Sequence, residues 1–246
     1  MLRSILASVA GWIVSIVVWL FLILAKILLL GFLPDRTIVA CIRFWGRSMM
    51  RLSGVTLLEQ NASTLAGRKP RVVVVNHQSS FDLIWGASII PEGALAVGKK
   101  ELLWIPFFNL LWWAVGFKFL NRQNQKKAHA TMRLLARIVQ EEKRSLFIAP
   151  EGTRSPSKDM GGFKMGAFHV ALETGASVYP VVASGVFEIW PRTAWFPRSG
   201  TIIIKYLPPV STQEWTVENL RTHVKDLHEQ MERAFEELEV IRLQKK

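Results

Sequence analysis

The stretch Asn76-His77-Gln78-Ser79-Ser80-Phe81-Asp82 sets an imidazole and a carboxylate five residues apart, directly after the apolar run RVVVV. A carboxylate on one imidazole nitrogen fixes the tautomer and leaves the other nitrogen free to take a proton from a hydroxyl. Such a pair is a general base without a built-in nucleophile. Spacing alone does not bring the two groups together. On a continuous strand they would lie about 17 Å apart on opposite faces, and on a continuous helix they would point well round the cylinder from each other. They meet only if the chain turns between them. A strand ending at Val75, followed by Ser79 or Ser80 capping a helix whose first turn holds Asp82, supplies that turn. The plainer alternative is a carboxylate that caps a helix and a hydrogen-bonded histidine in a turn.

A second polar cluster follows another apolar run: Glu151, Gly152, Thr153 and Arg154 come after SLFIA, with Pro150 fixing the approach. Arginine offers a fork for phosphate, glycine lets a backbone approach a ligand, and glutamate accepts hydrogen bonds from hydroxyls. Alone, these residues are equally an ordinary polar turn. Two such clusters, each directly after a buried strand, would converge on one edge of a parallel sheet, where the sites of open α/β sheets gather.

Between the clusters, IPFFNLLWWAVGF reads as core in preference to a lipid-lined tunnel. Lys99, Lys100, Arg122, Lys126 and Lys127 flank it within reach of a phosphate, although the last two also fit the charged rim of a helix. Other patterns fail on inspection. GALAVGKK has phosphate-loop spacing, but Lys100 stands where a magnesium-binding hydroxyl is required. GASVY lacks the last glycine of a nucleophile elbow. His129 and His169 sit in helical patterns as packing or surface residues, and His223 and His228 share one helix without a second cluster to make a metal site. The lone Cys41 excludes an internal disulfide framework and a cysteine-rich zinc site.

The elements that must carry these residues alternate. VVVV, ALAV, SLFIA, VYPVVA and TIIIKYL read as strands, and SSFDLIWGASII, KKAHATMRLLARIVQEEKR and FKMGAFHVALETG as helices, with an amphipathic helix closing the chain. That order predicts an α/β fold with a largely parallel central sheet flanked by helices. Ahead of it, residues 5–33 are apolar or small except for two serines and Lys26, long enough for one tilted span or two shorter helices broken near Lys26. The following segment spaces Arg43, Arg47 and Arg51 four apart, opposite Ile42, Trp45 and Met49, as a basic amphipathic helix on an anionic surface would. The sequence thus divides into an N-terminal hydrophobic anchor with a basic helix over 1–60 and an α/β domain over 61–246.

Charge agrees with that division. The chain carries +12 over 246 residues, but residues 214–246 hold 8 acids and 6 bases, so the positive field belongs to the body and N-terminus. Such a field suits nucleic acid, anionic lipid headgroups or an acidic carrier protein. Ten tryptophans, a mean hydropathy of +0.23 and the apolar leader favour the lipid reading over nucleic acid.

Four blocks in order, NHQSSFD, GFKFLNR, FIAPEGTRS and VYPVVASG, resemble the 1-acyl-sn-glycerol-3-phosphate acyltransferases of the glycerolipid acyltransferase superfamily. Asn121 stands where many members have aspartate. The resemblance implies that His77 is the base and Asp82 its orienting partner. It implies that Glu151, Gly152, Thr153 and Arg154, with Arg122 and Lys100, hold the glycerol phosphate, and that Pro180 shapes the site wall. By the same resemblance a fatty acyl group passes from acyl-CoA or acyl carrier protein to the sn-2 hydroxyl of lysophosphatidic acid, giving phosphatidic acid without an acyl-enzyme. No metal or other cofactor is implied, and no nucleic acid partner. The expected setting is the inner membrane, with the catalytic domain on the cytoplasmic side. Transfer to another lysolipid and thioester hydrolysis are the rival chemistries.

Overall fold

The computed structural model describes residues 2–65, 67, 69–99, 108–120, 125–155 and 157–244. The apolar leader forms one uninterrupted helix, α1 (Leu2–Leu28), and the basic segment forms α2 (Asp35–Leu52). Among the described residues seven strands make one sheet: β1 (Val55–Gln60), β2 (Val72–Val75), β3 (Ala94–Lys99), β4 (Lys118–Leu120), β5 (Ser145–Ile148), β6 (Val178–Ser184) and β7 (Gly200–Tyr206). Their order is β1-β7-β6-β2-β5-β3-β4, every pairing parallel except that of β6 with β7. The strands β1 and β4 escape a reading by periodicity. β1, grouped by sequence with the N-terminal segment, is an edge strand of the sheet.

α3 (Asp82–Ile89), α4 (Phe108–Val115), α5 (Gln125–Glu141), α6 (Gly166–Thr174), the short α7 (Val186–Ile189) and α8 (Leu220–Gln244) complete the described elements. Alternation along β2 sorts them into layers, because successive side chains point to opposite faces. Val72 and Val74 face a core shared with α5, α6 and α8, while Val73 and Val75 face one shared with α2 and α3. Both faces of the central strands are covered, which explains the unbroken run of valines.

α2 presses closely on α3. A Cβ placed on Gly46 would sit 2.7 Å from the Ile84 carbonyl oxygen and from the Ser88 amide nitrogen. Those are backbone atoms that cannot give way, so this crossing admits only glycine. The same packing changes the expected role of the arginine stripe. Arg43 is half-buried and donates from Nε to the Ile90 carbonyl at 2.8 Å, whereas Arg47 and Arg51 remain exposed. α1 lies against α2 and α4 through Val18, Leu22, Ile38, Ala114 and Val115. Two polar ties fix it: Trp45 donates to Ser15 Oγ at 2.8 Å, and Lys26 donates to the carbonyls of Trp113 and Ala114 at 3.2 and 3.0 Å.

Candidate active site

β2 and β5 are neighbours running in the same direction, so the polar turns that follow them emerge side by side. Three hydrogen bonds join the turns: His77 N donates to Glu151 Oε1 at 2.7 Å, Ser155 N donates to the His77 carbonyl at 3.0 Å, and Arg154 Nη1 donates to Ser80 Oγ. Asn76 fixes the other flank. Its amide donates to the Ala183 carbonyl at 2.9 Å and its carbonyl accepts from Ala183 N at 2.8 Å, tying the end of β2 to β6.

His77 and Asp82 meet across the turn. Nδ1 of His77 lies 2.7 Å from Asp82 Oδ2, which also accepts the backbone N–H groups of Gln78 and Ser79 at 2.7 and 2.8 Å. Asp82 Oδ1 accepts the indole N–H of the fully buried Trp85 at 2.8 Å. Four donors therefore surround a carboxylate that is only 9% exposed, and they support its charge in place of water. Ser79 caps less directly than its type suggests: its hydroxyl accepts Phe81 N at 3.1 Å and donates to the Trp190 carbonyl at 2.8 Å. The His77 side chain is 25% exposed, and its Nε2 makes no hydrogen bond with another described residue. A ring whose Nδ1 carries a proton toward a carboxylate presents a basic Nε2 to a ligand.

Glu151 faces inward. It is 4% exposed, and its second oxygen accepts Gly161 N at 2.9 Å, so both oxygens are engaged by the protein's own backbone. Burial pushes its carboxyl up to about 7, against the pull of the two N–H groups that favour the ionised form. Gly152 has φ +74, a conformation that strains other residues, and Lys164 lies across it. Thr153 is exposed, and Arg154 stands half-buried at the rim with its carbonyl accepting from Arg192 Nη2 at 2.7 Å. Arg122 and Lys100 lie outside the described residues. Among the described residues no group of three or more His, Cys, Asp and Glu is placed to hold a metal ion.

Several supports escape the sequence. Trp85 follows Asp82 by three residues, the helical spacing that could have revealed it. Gln78 Nε2 donates to the Lys158 carbonyl at 2.6 Å, and Gly161 and Arg192 come from loops whose folding no local pattern announces.

Two hollows border the site. A small one, about 120 Å³, is lined almost wholly by apolar side chains from α1, α2, α3, α4 and the sheet, including Leu22, Trp45, Leu83, Val115 and Phe147, and it reaches Asp82. A larger one, about 690 Å³, runs from Pro150 and Gly152 between α5 and α6.

Residues 54–184 match the family model described as Acyltransferase. The chain is 36% identical over 168 residues to the 1-acyl-sn-glycerol-3-phosphate acyltransferase of Haemophilus influenzae, across 68% of this chain and 69% of that one. It is 33% identical over 162 residues to the Escherichia coli protein of the same name, across 65% of each. The matched segments thus span about two thirds of these bacterial relatives. In fold it resembles the crystal structure of the 1-acyl-sn-glycerophosphate (LPA) acyltransferase PlsC from Thermotoga maritima, with a TM-score of 0.78 at 22% identity over 97% of both chains. The turns that hold His77, Asp82 and Glu151 all fall inside the matched region, and the chain belongs to the acyltransferase family, beside the 1-acyl-sn-glycerol-3-phosphate acyltransferases.

Proposed function

We propose that the protein transfers a fatty acyl group from a thioester, acyl-CoA or acyl carrier protein, to the sn-2 hydroxyl of lysophosphatidic acid, giving phosphatidic acid. The observation that carries this reading is the His77–Asp82 pair at 2.7 Å, with Nε2 open to a ligand and an apolar cavity reaching Asp82. Asp82 holds the ring in one tautomer. Nε2 takes the proton of the sn-2 hydroxyl as its oxygen attacks the thioester carbonyl. The C–O bond forms, the C–S bond breaks, and the imidazolium returns its proton to the departing thiolate. Base catalysis of this kind contributes about 10² to 10⁴-fold, and orientation of the two substrates adds to it. Arg154, with Arg122, Lys100 and the Gly152–Thr153 turn, is suited to the acceptor phosphate. Glu151 acts from behind, holding the backbone of His77 in place.

The acyl chain belongs in the apolar cavity, and its position assigns a role to the N-terminus. The segment Val9–Leu28 is long and apolar enough to cross a membrane by length and composition. One side of α1 is occupied by α2 and α4, and the other exposes Trp12, Ile13, Ile16, Val17, Leu20, Phe21 and Leu24. A helix tied along one side to the domain would drag α2 and α4 into hydrocarbon if it crossed. We therefore read α1 as lying in one leaflet, with Arg47 and Arg51 near anionic headgroups, on the cytoplasmic side of an inner membrane.

The test is thiol release from an acyl thioester in vesicles, with and without lysophosphatidic acid, for wild type and His77→Ala. Release that depends on the acceptor and falls about 10³-fold or more in the variant is expected. Release indifferent to the acceptor would make the protein a thioesterase.

A further inference from the structure

Of the residues lining the larger groove only Gly152 enters the chemistry just described, and the groove leads away from the site. Its end wall is Ala149, Pro150 and Gly152, the turn that leaves β5. Ile148 lines this groove while its neighbour Phe147 lines the apolar cavity, so the two hollows lie on opposite faces of the sheet. They flank the edge between β2 and β5, where His77 stands. α1 and α2 border the apolar cavity, so the groove faces away from the helix that exposes its apolar side. It opens to water.

The groove is also basic. Lys164, Arg133, His129 and His169 line it, all exposed, against one acid, Glu173. The side chains of Lys164, Arg133, His129 and His169 make no ion pair or hydrogen bond with another described residue, and Lys164 Nζ would lie 2.9 Å from a Cβ on Gly152. Four side-chain donors beside the proposed reaction centre, a lysine and an arginine among them, suit a phosphate.

Resting on the acyltransferase reading, we infer that this groove binds the phosphopantetheine arm of the acyl donor, with Lys164 and Arg133 holding its phosphate. A thioester donor has three parts in line: an apolar chain, the reacting carbonyl and a water-soluble phosphorylated arm. The protein offers three regions in the same order, the apolar cavity, His77 and the basic groove. The acceptor does not fit this path, because its phosphate stays at the membrane surface beside its own acyl chain. Coenzyme A and acyl carrier protein share the phosphopantetheine arm, so the inference covers both.

The experiment uses the full chain in detergent–lipid micelles and the double variant Lys164→Gln/Arg133→Gln, with Arg137→Gln, outside the groove on α5, as a control for lost charge. Binding of free coenzyme A is measured by calorimetry, and KM is measured separately for acyl-CoA, acyl carrier protein thioester, acyl-pantetheine lacking phosphate, and lysophosphatidic acid. The double variant is expected to weaken coenzyme A binding and raise KM for acyl-CoA and acyl carrier protein thioester about tenfold or more, as loss of charged hydrogen bonds does. KM for lysophosphatidic acid and for acyl-pantetheine should stay within twofold, and the Arg137 control should match wild type. A rise confined to acyl-CoA would assign the groove to the nucleotide, and one confined to the carrier-protein donor would assign it to the protein's surface; either overturns the shared-arm inference. A rise confined to lysophosphatidic acid would place the acceptor phosphate there instead, and unchanged constants throughout would remove the groove from catalysis. If wild type binds coenzyme A through these residues but transfers no acyl group, the acyltransferase reading fails while the groove stands.

Discussion

The turns after β2 and β5 each bury a carboxylate against His77, and they treat it in opposite ways. Asp82 receives four hydrogen bonds, from an imidazole, two backbone amides and an indole, and touches the ring that would do the chemistry. Glu151 receives two, both from backbone, and touches the histidine only through its main chain. Its carboxyl is pushed up to about 7 because burial outweighs those two bonds. The difference separates a carboxylate placed to serve the proposed base from one placed to support its backbone. One is placed to hold the ring's tautomer, and the other holds the backbone from which the ring extends.

The sharpest way to break this contrast is Asp82→Asn. An amide cannot accept on both atoms, so its nitrogen would face one of the donors that now point at the carboxylate, and the tautomer of His77 would lose its anchor. We expect kcat to fall about 10³-fold with KM for either substrate changed little, because the loss concerns proton transfer and not binding. Steady-state kinetics in vesicles would measure it. A loss of less than tenfold would mean that Asp82 merely starts the helix.

Glu151→Gln should cost less, about 10- to 100-fold in kcat, because a displaced backbone shifts the base without changing its chemistry. It should also change the pH dependence of stability. The ordinary value of this carboxyl is 4.5 and its folded value about 7. Below 4.5 it is protonated in both states. Between 4.5 and 7 the unfolded chain ionises while the folded one holds its proton, so the stabilisation fully present at low pH is lost as pH rises through about 7. The change is about 3 kcal/mol. Thermal unfolding followed across that range should show Tm of the wild type falling with pH relative to the Gln variant, which has nothing to titrate there. Parallel curves would mean that the carboxyl is ionised throughout.

The two turns also differ in how far the sequence announces them. His77 and Asp82 could be paired from spacing, a strand end and a helix start, since the contact between their side chains closes within one short loop. The shared edge followed from two buried runs that each ended in polar residues. Glu151 kept its family resemblance but concealed its role, because its orientation depends on Gly161, ten residues away on a loop with no periodic pattern. Arg43 misled for the same reason. Its spacing placed it on an outward stripe, and contact with the end of α3 turned it into a partner of Ile90. Periodicity reports which face of an element a residue occupies and is silent about what covers that face.

The smallest effect tests how far the scaffold extends. Gly161, which anchors Glu151 through its N–H, offers its carbonyl to His228 Nε2 at 3.0 Å, and His228 Nδ1 lies 3.2 Å from Glu232 on α8. A line of contacts therefore runs from the closing helix through Gly161 and Glu151 to the backbone of His77. His228→Ala removes the donor that holds Gly161, and also the edge contact of the imidazole with Phe163, 4.5 Å between ring centres. We expect kcat to fall about two- to fivefold, the scale of one neutral hydrogen bond, with KM unchanged. His228→Gln, whose amide can donate to the same carbonyl, should restore most of the loss. Restoration by Gln would show that the donor to Gly161 matters and not the ring, and the line of support would then reach α8. If Ala and Gln behave alike, the scaffold ends at Gly161 and the histidine only packs.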